Sequence, residues 1–440
     1  MRVILHEPVV VSVAPVNEET QRWGVYAIPW MWEHPDGAFY IRISGHQDTS
    51  SPNYRQTAPD LYFRSEDDGK SWTPLSESCG KELAQVFPTF FGVGRPFLKL
   101  ESGEWIGLQL ESQLAPITDI PRLEKSVPIP SGEALLGIWR YGDIPEACKA
   151  MELVTYDAAG KKLRAERVQI NFPELEVESV CASQHTDGKV TLVADYVPVE
   201  TIFYNPMCTI QELLELPDGS LGGLLYGQAP NVTDRDYGLV YMMRSEDRGR
   251  TWRKIGTVGC YDPEVGFGYT NENSMVRASD GSLLVVMRTE KCVPNEIQRD
   301  TSTMFSRSFD GGYTWSKPTA IADSGVTPHL VSLENGVIVF VYGRPGVHVR
   351  YSTDCGASWS EPYTVIGKTL AEHMQAGDAY MDCKYWDMDT YANTFMYPIS
   401  ADTVLLCYND MKYQIGDGLN HKATLVRRIS FLQDDSERRD

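Results

Sequence analysis

Apolar runs broken by two-residue turns recur along this chain. The turns are Asp36-Gly37, Ser102-Gly103, Asp218-Gly219, Asp280-Gly281, Asn335-Gly336 and Ala401-Asp402. Apolar and polar positions alternate around them, as in Leu214-Glu215-Leu216-Pro217-Asp218-Gly219-Ser220-Leu221 and Val331-Ser332-Leu333-Glu334-Asn335-Gly336-Val337-Ile338. A period of two marks strands, and Asp-Gly or Asn-Gly between two such runs predicts a tight hairpin. Six hairpins predict six antiparallel sheets. A seventh hairpin-like stretch, Thr186-Asp187-Gly188-Lys189 before residues 190–194, sits close to the turn at 218 for a full sheet. Residues 111–200 therefore read as an enlarged unit with insertions, and seven sheets remain the alternative.

A second repeat runs through the first. Ser65-Glu66-Asp67-Asp68-Gly69-Lys70-Ser71-Trp72, Ser245-Glu246-Asp247-Arg248-Gly249-Arg250-Thr251-Trp252, Ser308-Phe309-Asp310-Gly311-Gly312-Tyr313-Thr314-Trp315 and Ser352-Thr353-Asp354-Cys355-Gly356-Ala357-Ser358-Trp359 all fit S-x-D-x-G-x-[ST]-W. Their lead-in residues are Arg64, Arg244, Arg307 and Tyr351. The pattern predicts a tight turn in which Asp accepts backbone N–H groups, Gly supplies a φ > 0 position and Trp packs beneath. Each repeat follows a hairpin turn by 17 to 29 residues: 36 to 65, 218 to 245, 280 to 308 and 335 to 352. That order predicts four strands per unit, with the repeat joining the last two. The motif is known as the Asp box, and the chain resembles the sialidase (neuraminidase) superfamily of β-propellers. The fold class expected is all-β: a six-bladed propeller of four-stranded antiparallel blades. Strand-like runs Val9–Val13 and Thr424–Phe431 would complete one blade from both chain ends, removing an exposed sheet edge. One domain over 1–432 and a charged tail, 433–440, are expected.

Composition narrows the partners. The 440 residues carry a formal net charge of −20, which argues against nucleic acid and against an anionic membrane surface. No apolar run of 18 residues predicts a transmembrane helix, and the opening Met1–Pro8 does not read as a signal peptide. Nine Cys without paired spacing read as free thiols in a reducing, cytoplasmic setting, with no metal site or cofactor called for. Ten Trp and 23 Tyr can stack on sugar faces, although a propeller uses most aromatics in its core.

The resemblance implies a site at one end of the central channel, made from inner strands and the loops after them. Sialidases hold a substrate carboxylate with three Arg, draw their nucleophile from a Tyr–Glu pair and use a loop Asp as acid/base, an exception among glycosidases. In Asn271-Glu272-Asn273-Ser274-Met275-Val276-Arg277-Ala278-Ser279-Asp280-Gly281, followed by residues 282–287 and Arg288, the Glu begins an inner strand and the Arg ends the next. Antiparallel pairing brings Glu272 and Arg288 to one rim. Arg344, in Val341-Tyr342-Gly343-Arg344-Pro345-Gly346, is similar to the family's third Arg, whereas Arg350 reads as a solvated strand residue. The first Arg of the family falls on Ala27, in Val25-Tyr26-Ala27-Ile28-Pro29. The nucleophile position falls near Asn393, between Tyr391 and Tyr397, and Tyr391 is preferred because it follows the acidic loop 378–389. Asp48, after Ser44-Gly45-His46-Gln47, is the candidate general acid, with His46 beside it for substrate contact or proton transfer. Glu33, His34 and Asp60 are weaker candidates.

Loss of one guanidinium from the clamp removes a charge-assisted partner of roughly 1.5–3 kcal/mol. The expectation is therefore a glycoside hydrolase acting on the end of a glycan other than an ordinary sialoside, with Glu272 and Asp48 as a carboxylate pair. A true sialidase with Arg42 or Arg95 as the substitute cation, a non-catalytic glycan-binding propeller, and a His-dependent lyase are the alternatives.

Overall fold

The computed structural model of the 440-residue chain describes residues 1–47, 56–84, 97–110, 115–116, 123–128, 135–149, 151–157, 159–181, 183–184, 190–191, 196–197, 203–204, 208–227, 238–260, 269–293, 296–298, 302–376 and 389–433. Asp48, Arg95, residues 378–388 of the acidic loop and residues 434–440 of the tail lie outside the described residues, as do parts of 111–200.

The expected hairpins all form and build six antiparallel blades. Blade 1 runs Pro29–Glu33, Phe39–Ile43, Leu61–Ser65, Thr73–Pro74, and blade 2 runs Phe97–Lys99, Trp105–Leu110, Met151–Tyr156, Lys162–Arg167. Blade 3 contains Cys208–Glu215, Leu221–Gly227, Gly238–Ser245 and Thr251–Cys260, with Gln169–Asn171 added in parallel at its outer edge. Blade 4 is Tyr269–Arg277, Leu283–Val293, Thr303–Ser308 and Thr319–Ala322, and blade 5 is Val326–Ser332, Ile338–Gly343, Val347–Ser352 and Tyr363–Ile366. Blade 6 takes Phe395–Ser400, Thr403–Tyr413 and His421–Leu432 from the C-terminal part, and Arg2–Leu5 and Val9–Val13 from the N-terminal part. The seven-sheet alternative is overturned. Ser183–Gln184, Val190–Thr191 and Tyr196–Val197 make a small separate sheet outside the six blades. Among the described residues, no helix is long and apolar enough to cross a membrane.

Apolar side chains fill the wedges between blades, because each inner and middle strand is covered on both faces. Leu284, Val286 and Phe305 of blade 4 meet Leu330, Ile338 and Phe340 of blade 5, whereas Met275, Val285 and Met287 meet Leu224, Val240 and Met242 of blade 3. Blade 5 meets blade 6 through Val339, Val341, Leu406 and Phe431.

The Asp boxes are built as the pattern predicts. Asp67 Oδ1 accepts the Ser65 hydroxyl at 2.9 Å and Ser71 N–H at 2.9 Å, its Oδ2 accepts the Ser71 hydroxyl at 2.6 Å, and Ser65 Oγ accepts Gly69 N–H at 3.0 Å. Asp247, Asp310 and Asp354 repeat this arrangement. Trp252 and Trp315 donate their indole N–H to the carbonyls of Gly249 and Gly312 at 2.8 and 2.9 Å. The turn needs two left-handed residues in a row, so Asp68 (φ 56°), Arg248 (φ 60°) and Cys355 (φ 55°) precede glycines at φ 75°, 93° and 82°. The box glycines also touch the preceding blade. A Cβ at Gly69 would fall 2.6 Å from Leu405 of blade 6, at Gly249 3.1 Å from Leu153 of blade 2, at Gly312 2.7 Å from Met242 of blade 3, and at Gly356 3.0 Å from Leu284 of blade 4.

Ring closure uses a buried cation. Lys422, 4% exposed, donates from Nζ to the carbonyls of Arg22 at 2.7 Å and Val25 at 2.8 Å. His421 beside it contacts the Ala14 carbonyl at 3.0 Å and Asp417 at 2.8 Å. Arg350 is not on a solvated face, because its guanidinium donates to the carbonyls of Ser360 and Ile321. Cys79, Cys148, Cys355 and Cys407 are free thiols.

Two titrations test these devices. The Ser71 hydroxyl, helped by backbone N–H groups, holds the Asp67 carboxyl at about 2. Its folded value is depressed, so its stabilisation is complete above about pH 4 and is lost as pH falls through about 2. Asp67→Asn should lower stability by about 2 kcal/mol at pH 7 and flatten the loss between pH 5 and 2, read from urea midpoints. Lys422 is pushed down to about 7 by burial. An amine depressed in the folded state opposes folding most below about pH 7, so stability rises from pH 7 towards 10. The stability of wild type relative to that of Lys422→Met should therefore rise between pH 6.5 and 9.5, on the order of a few kcal/mol.

Candidate active site at the channel end

The inner strands share a backbone feature at the end where they begin. Tyr26 (φ 52°), Glu212 (φ 50°), Glu272 (φ 36°), Thr327 (φ 43°) and Ala392 (φ 59°) are left-handed non-glycine residues at the starts of blades 1, 3, 4, 5 and 6. In blades 3, 4 and 5 they lie at β-bulges, where the register slips between Gln211 and Leu214, Asn271 and Asn273, and Val326 and His329. A bulge adds a residue to one strand and re-aims its side chain. Since five blades share it, the strained backbone belongs to the architecture. The side chain carried there is what differs from blade to blade.

In blade 4 that side chain is Glu272. Its Oε1 lies 2.9 Å from Arg288 Nη1, and its Oε2 accepts Thr327 N–H of blade 5 at 2.8 Å. The pairing is possible because Arg288 lies opposite Asn271 in the register, one residue before the bulge. Both side chains are nearly covered, 9% exposed for Arg288 and 15% for Glu272. Low dielectric strengthens such a pair, and one donor on each oxygen orients the carboxylate.

Thr327 continues the network around the channel. Its hydroxyl donates to the Ala392 carbonyl at 2.6 Å, and the Thr394 hydroxyl donates to the Thr327 carbonyl at 3.2 Å. Beyond lies the second pair. Arg344 (φ 59°) donates from Nη2 to the Tyr391 carbonyl at 2.8 Å, and its guanidinium sits 4.9 Å from the centre of the Tyr391 ring. Tyr391 is 2% exposed, and its N–H donates to Asn409 Oδ1 at 3.1 Å. Tyr397 instead packs in the core against Phe39, with ring centres 5.7 Å apart.

The structure thus joins Glu272 to Arg288 and Arg344 to Tyr391. His46 lies in blade 1, just past the strand Phe39–Ile43 and at the same end, where it bridges Gln56. Asp48 follows it, outside the described residues. Arg42, expected as a substitute cation, is committed to an ion pair. It is engaged with Asp60 Oδ2 at 2.9 Å from Nε and 2.8 Å from Nη2, while Asp60 Oδ1 accepts Gly45 N–H at 2.8 Å. Asp60 is therefore a brace for the segment leading to His46. His34 belongs to the opposite end of blade 1, beside the hairpin turn, with Nδ1 3.1 Å from Asp36 and its ring among Tyr40, Phe97 and Tyr156. Burial lowers its pKa despite Asp36.

Sequence reasoning missed Glu212. It is 2% exposed and occupies in blade 3 the bulge position that Glu272 occupies in blade 4. Glu272 stands nine residues before Gly281, but Glu212 only seven before Gly219, so fixed spacing did not reveal it. The signal was a glutamate interrupting an otherwise apolar inner strand, Ile210-Gln211-Glu212-Leu213-Leu214.

A family model described as a BNR repeat-like domain matches residues 149–401, which is 253 of the 440 residues. No curated protein matches the chain. Among solved structures, a protein of unknown function from Dyadobacter fermentans is similar over 98% of this chain and 99% of its own, with 15% identity and a TM-score of 0.54. The NanB sialidase of Streptococcus pneumoniae, as its K499G mutant, is 13% identical over 94% of this chain and 69% of its own, with a TM-score of 0.43. An alpha-L-arabinofuranosidase from Fusarium graminearum is 13% identical over 96% and 98%, also with a TM-score of 0.43. The four Asp boxes, the six blades and a family match over more than half its length make this chain a member of the BNR repeat-like domain family, built as a six-bladed β-propeller.

Proposed function

We propose that the channel end binds the end of a glycan and hydrolyses a glycosidic bond there, on a sugar other than an ordinary sialoside. The observation that carries this reading is the Glu272–Arg288 pair, nearly covered yet set at the mouth of the ring by a bulge. A propeller needs no charge at that position to close. Thr327 in the next blade makes the same bulge with a neutral side chain.

In the proposed reaction the sugar's anomeric carbon faces Glu272. Asp48 gives its proton to the leaving oxygen as the C–O bond breaks, and Glu272 either attacks the carbon or takes the proton from the attacking water. Either route leaves one new hydroxyl on each fragment once water has been consumed. Arg288 holds Glu272 in place, and Arg344 holds Tyr391 at the same end of the ring. Glu212 is the alternative second carboxyl, being the acidic side chain at the bulge of the neighbouring blade, two residues nearer its hairpin turn than Glu272 is to its own. Two observations favour a carboxylate pair over a tyrosine nucleophile. Tyr391 is covered by Arg344 and is 2% exposed, and Ala27 and Arg42 leave no third guanidinium for a carboxylate clamp among the described residues.

The test is a panel of aryl glycosides, comprising sialosides, arabinofuranosides, rhamnosides and uronides. Release is expected from a non-sialoside, with kcat reduced by about 10²–10⁴ in Glu272→Gln and in either Asp48→Asn or Glu212→Gln. Unchanged turnover in Glu272→Gln would overturn the role given to that residue. A folded wild-type protein that binds glycans and cleaves none would establish a binding propeller instead.

A further inference from the structure

Blade 1 lacks the cation that a three-guanidinium clamp requires, and an aromatic side chain stands at its rim. Trp23 precedes the inner strand Pro29–Glu33, within the turn-rich segment 17–27. Its ring centre lies 4.5 Å from that of Tyr391, tilted by 47°. The Arg344 guanidinium also lies against Tyr391, 4.9 Å from its ring centre. Tyr391 thus contacts both Trp23, which precedes blade 1, and Arg344 of blade 5. The three differ in exposure: Tyr391 and Arg344 are buried, whereas Trp23 is only half-buried.

The segment presenting this indole is fixed on both sides of it. Lys422 Nζ donates to the carbonyls of Arg22 and Val25, bracketing Trp23. Asn17 Oδ1 accepts the N–H groups of Glu19 and Thr20, both at 3.0 Å, and Tyr26 N–H donates to the Ser44 carbonyl at 2.8 Å. Taking a lysine amine out of water is unfavourable, so a surface turn has no need of such a brace. A rigid, half-exposed aromatic face loses little entropy when a ligand covers it, which is the property of a binding platform.

We infer that Trp23 forms a sugar-stacking subsite at this end of the ring, taking the C–H face of a furanose or pyranose ring. This rests on the proposed glycan-directed function and specifies it. The site selects a sugar with an apolar face and at most one acidic group, because the position that would have supplied the third guanidinium is Ala27, 0% exposed.

Methyl glycosides of arabinose, rhamnose, glucuronic acid and sialic acid, which carry no aromatic aglycone, are titrated against the full chain by calorimetry, with saturation-transfer NMR on the sugar protons. Wild type should bind a neutral sugar or the uronide more tightly than the sialoside, with saturation concentrated on one ring face. Trp23→Ala should weaken binding about tenfold, the scale of one lost aromatic face, and abolish the facial bias. Trp23→Phe should stay within about threefold. On a cleaved substrate, Trp23→Ala should raise KM by more than it lowers kcat. Should Trp23→Ala fail to fold, Trp23→Leu supplies the same comparison with the packing volume largely kept. Unaltered affinity and facial bias in the folded aliphatic variant would overturn the subsite and leave the glycan-directed reading standing. Absence of binding of any methyl glycoside to wild type would overturn both.

Discussion

The glycine of each Asp box has no side chain because the preceding blade occupies the space where one would stand. Leu405, Leu153, Met242 and Leu284 lie against the glycines of four boxes, each from a middle strand of the blade before. The box aspartate ties the turn from inside, and the glycine sets how closely the next blade approaches. Every box therefore does two things at once. It ends the hairpin between the third and fourth strands, and it spaces a blade from its neighbour. A side chain at any of these glycines would meet both a forbidden φ and an occupied volume, so the two requirements reinforce each other. Blades 2 and 6 lack the full motif. They are held by other means: strands from both chain ends for blade 6, and the shared aromatic core around Trp32, Trp105 and Tyr156 for blade 2.

Regular spacing at the outside of the ring forces the inner strands together at its centre, and that crowding shapes the site. Where inner strands converge, backbone groups of one blade face side chains of the next. Ser274 Oγ accepts Leu330 N–H, Thr327 N–H meets Glu272, and Thr327 and Thr394 exchange hydrogen bonds. Bulges in blades 3, 4 and 5 interrupt the inner strands here, and in blade 4 the bulge sets Glu272 between Arg288 and Thr327. The energetic cost of a left-handed non-glycine residue, of order 1–3 kcal/mol, is offset at Glu272 and Thr327 by the hydrogen bonds that fix them. A charged side chain on such a position is held more rigidly than one on a loop.

Much of this was legible in the chain because antiparallel hairpins make register countable. Glu272 lies nine residues before Gly281 and Arg288 seven after it, so a turn at 280–281 brings them together whatever surrounds them. Arg344 was legible for the same reason, and the six blades followed from the six turns. What failed to show depended on contacts between blades, which no local pattern encodes. Glu212 was hidden because its bulge falls only two pairs from the hairpin turn, against five pairs for Glu272. The commitment of Arg42 to Asp60, 18 residues away, was equally hidden, as was the burial of Lys422 under a segment 397–400 positions earlier. The paired left-handed residues in each box were half legible. The glycine was expected, but the residue before it, as varied as Asp68, Arg248 and Cys355, carries no signal of its conformation.

The overall charge of −20 does not by itself decide what this site takes. At physiological ionic strength the field of exposed carboxylates is screened over about 8 Å, so groups within a few ångströms of the ligand dominate. At the channel end those groups nearly balance. Arg288 is matched by Glu272, and Arg344 leans on the face and carbonyl of Tyr391. A ligand bearing a full negative charge would have to compete with Glu272 for Arg288, or share Arg344 alone, with the long-range field opposing its approach. A ligand bearing hydroxyls and an apolar ring face meets no such penalty. On the proposed reading its C–H face lies on an indole whose segment is already held in place by Lys422. On the proposed reading, Ala27 in place of a guanidinium changes more than the strength of a clamp. It would move the balance of the site from charge towards shape, with Trp23 offering that shape a surface to meet.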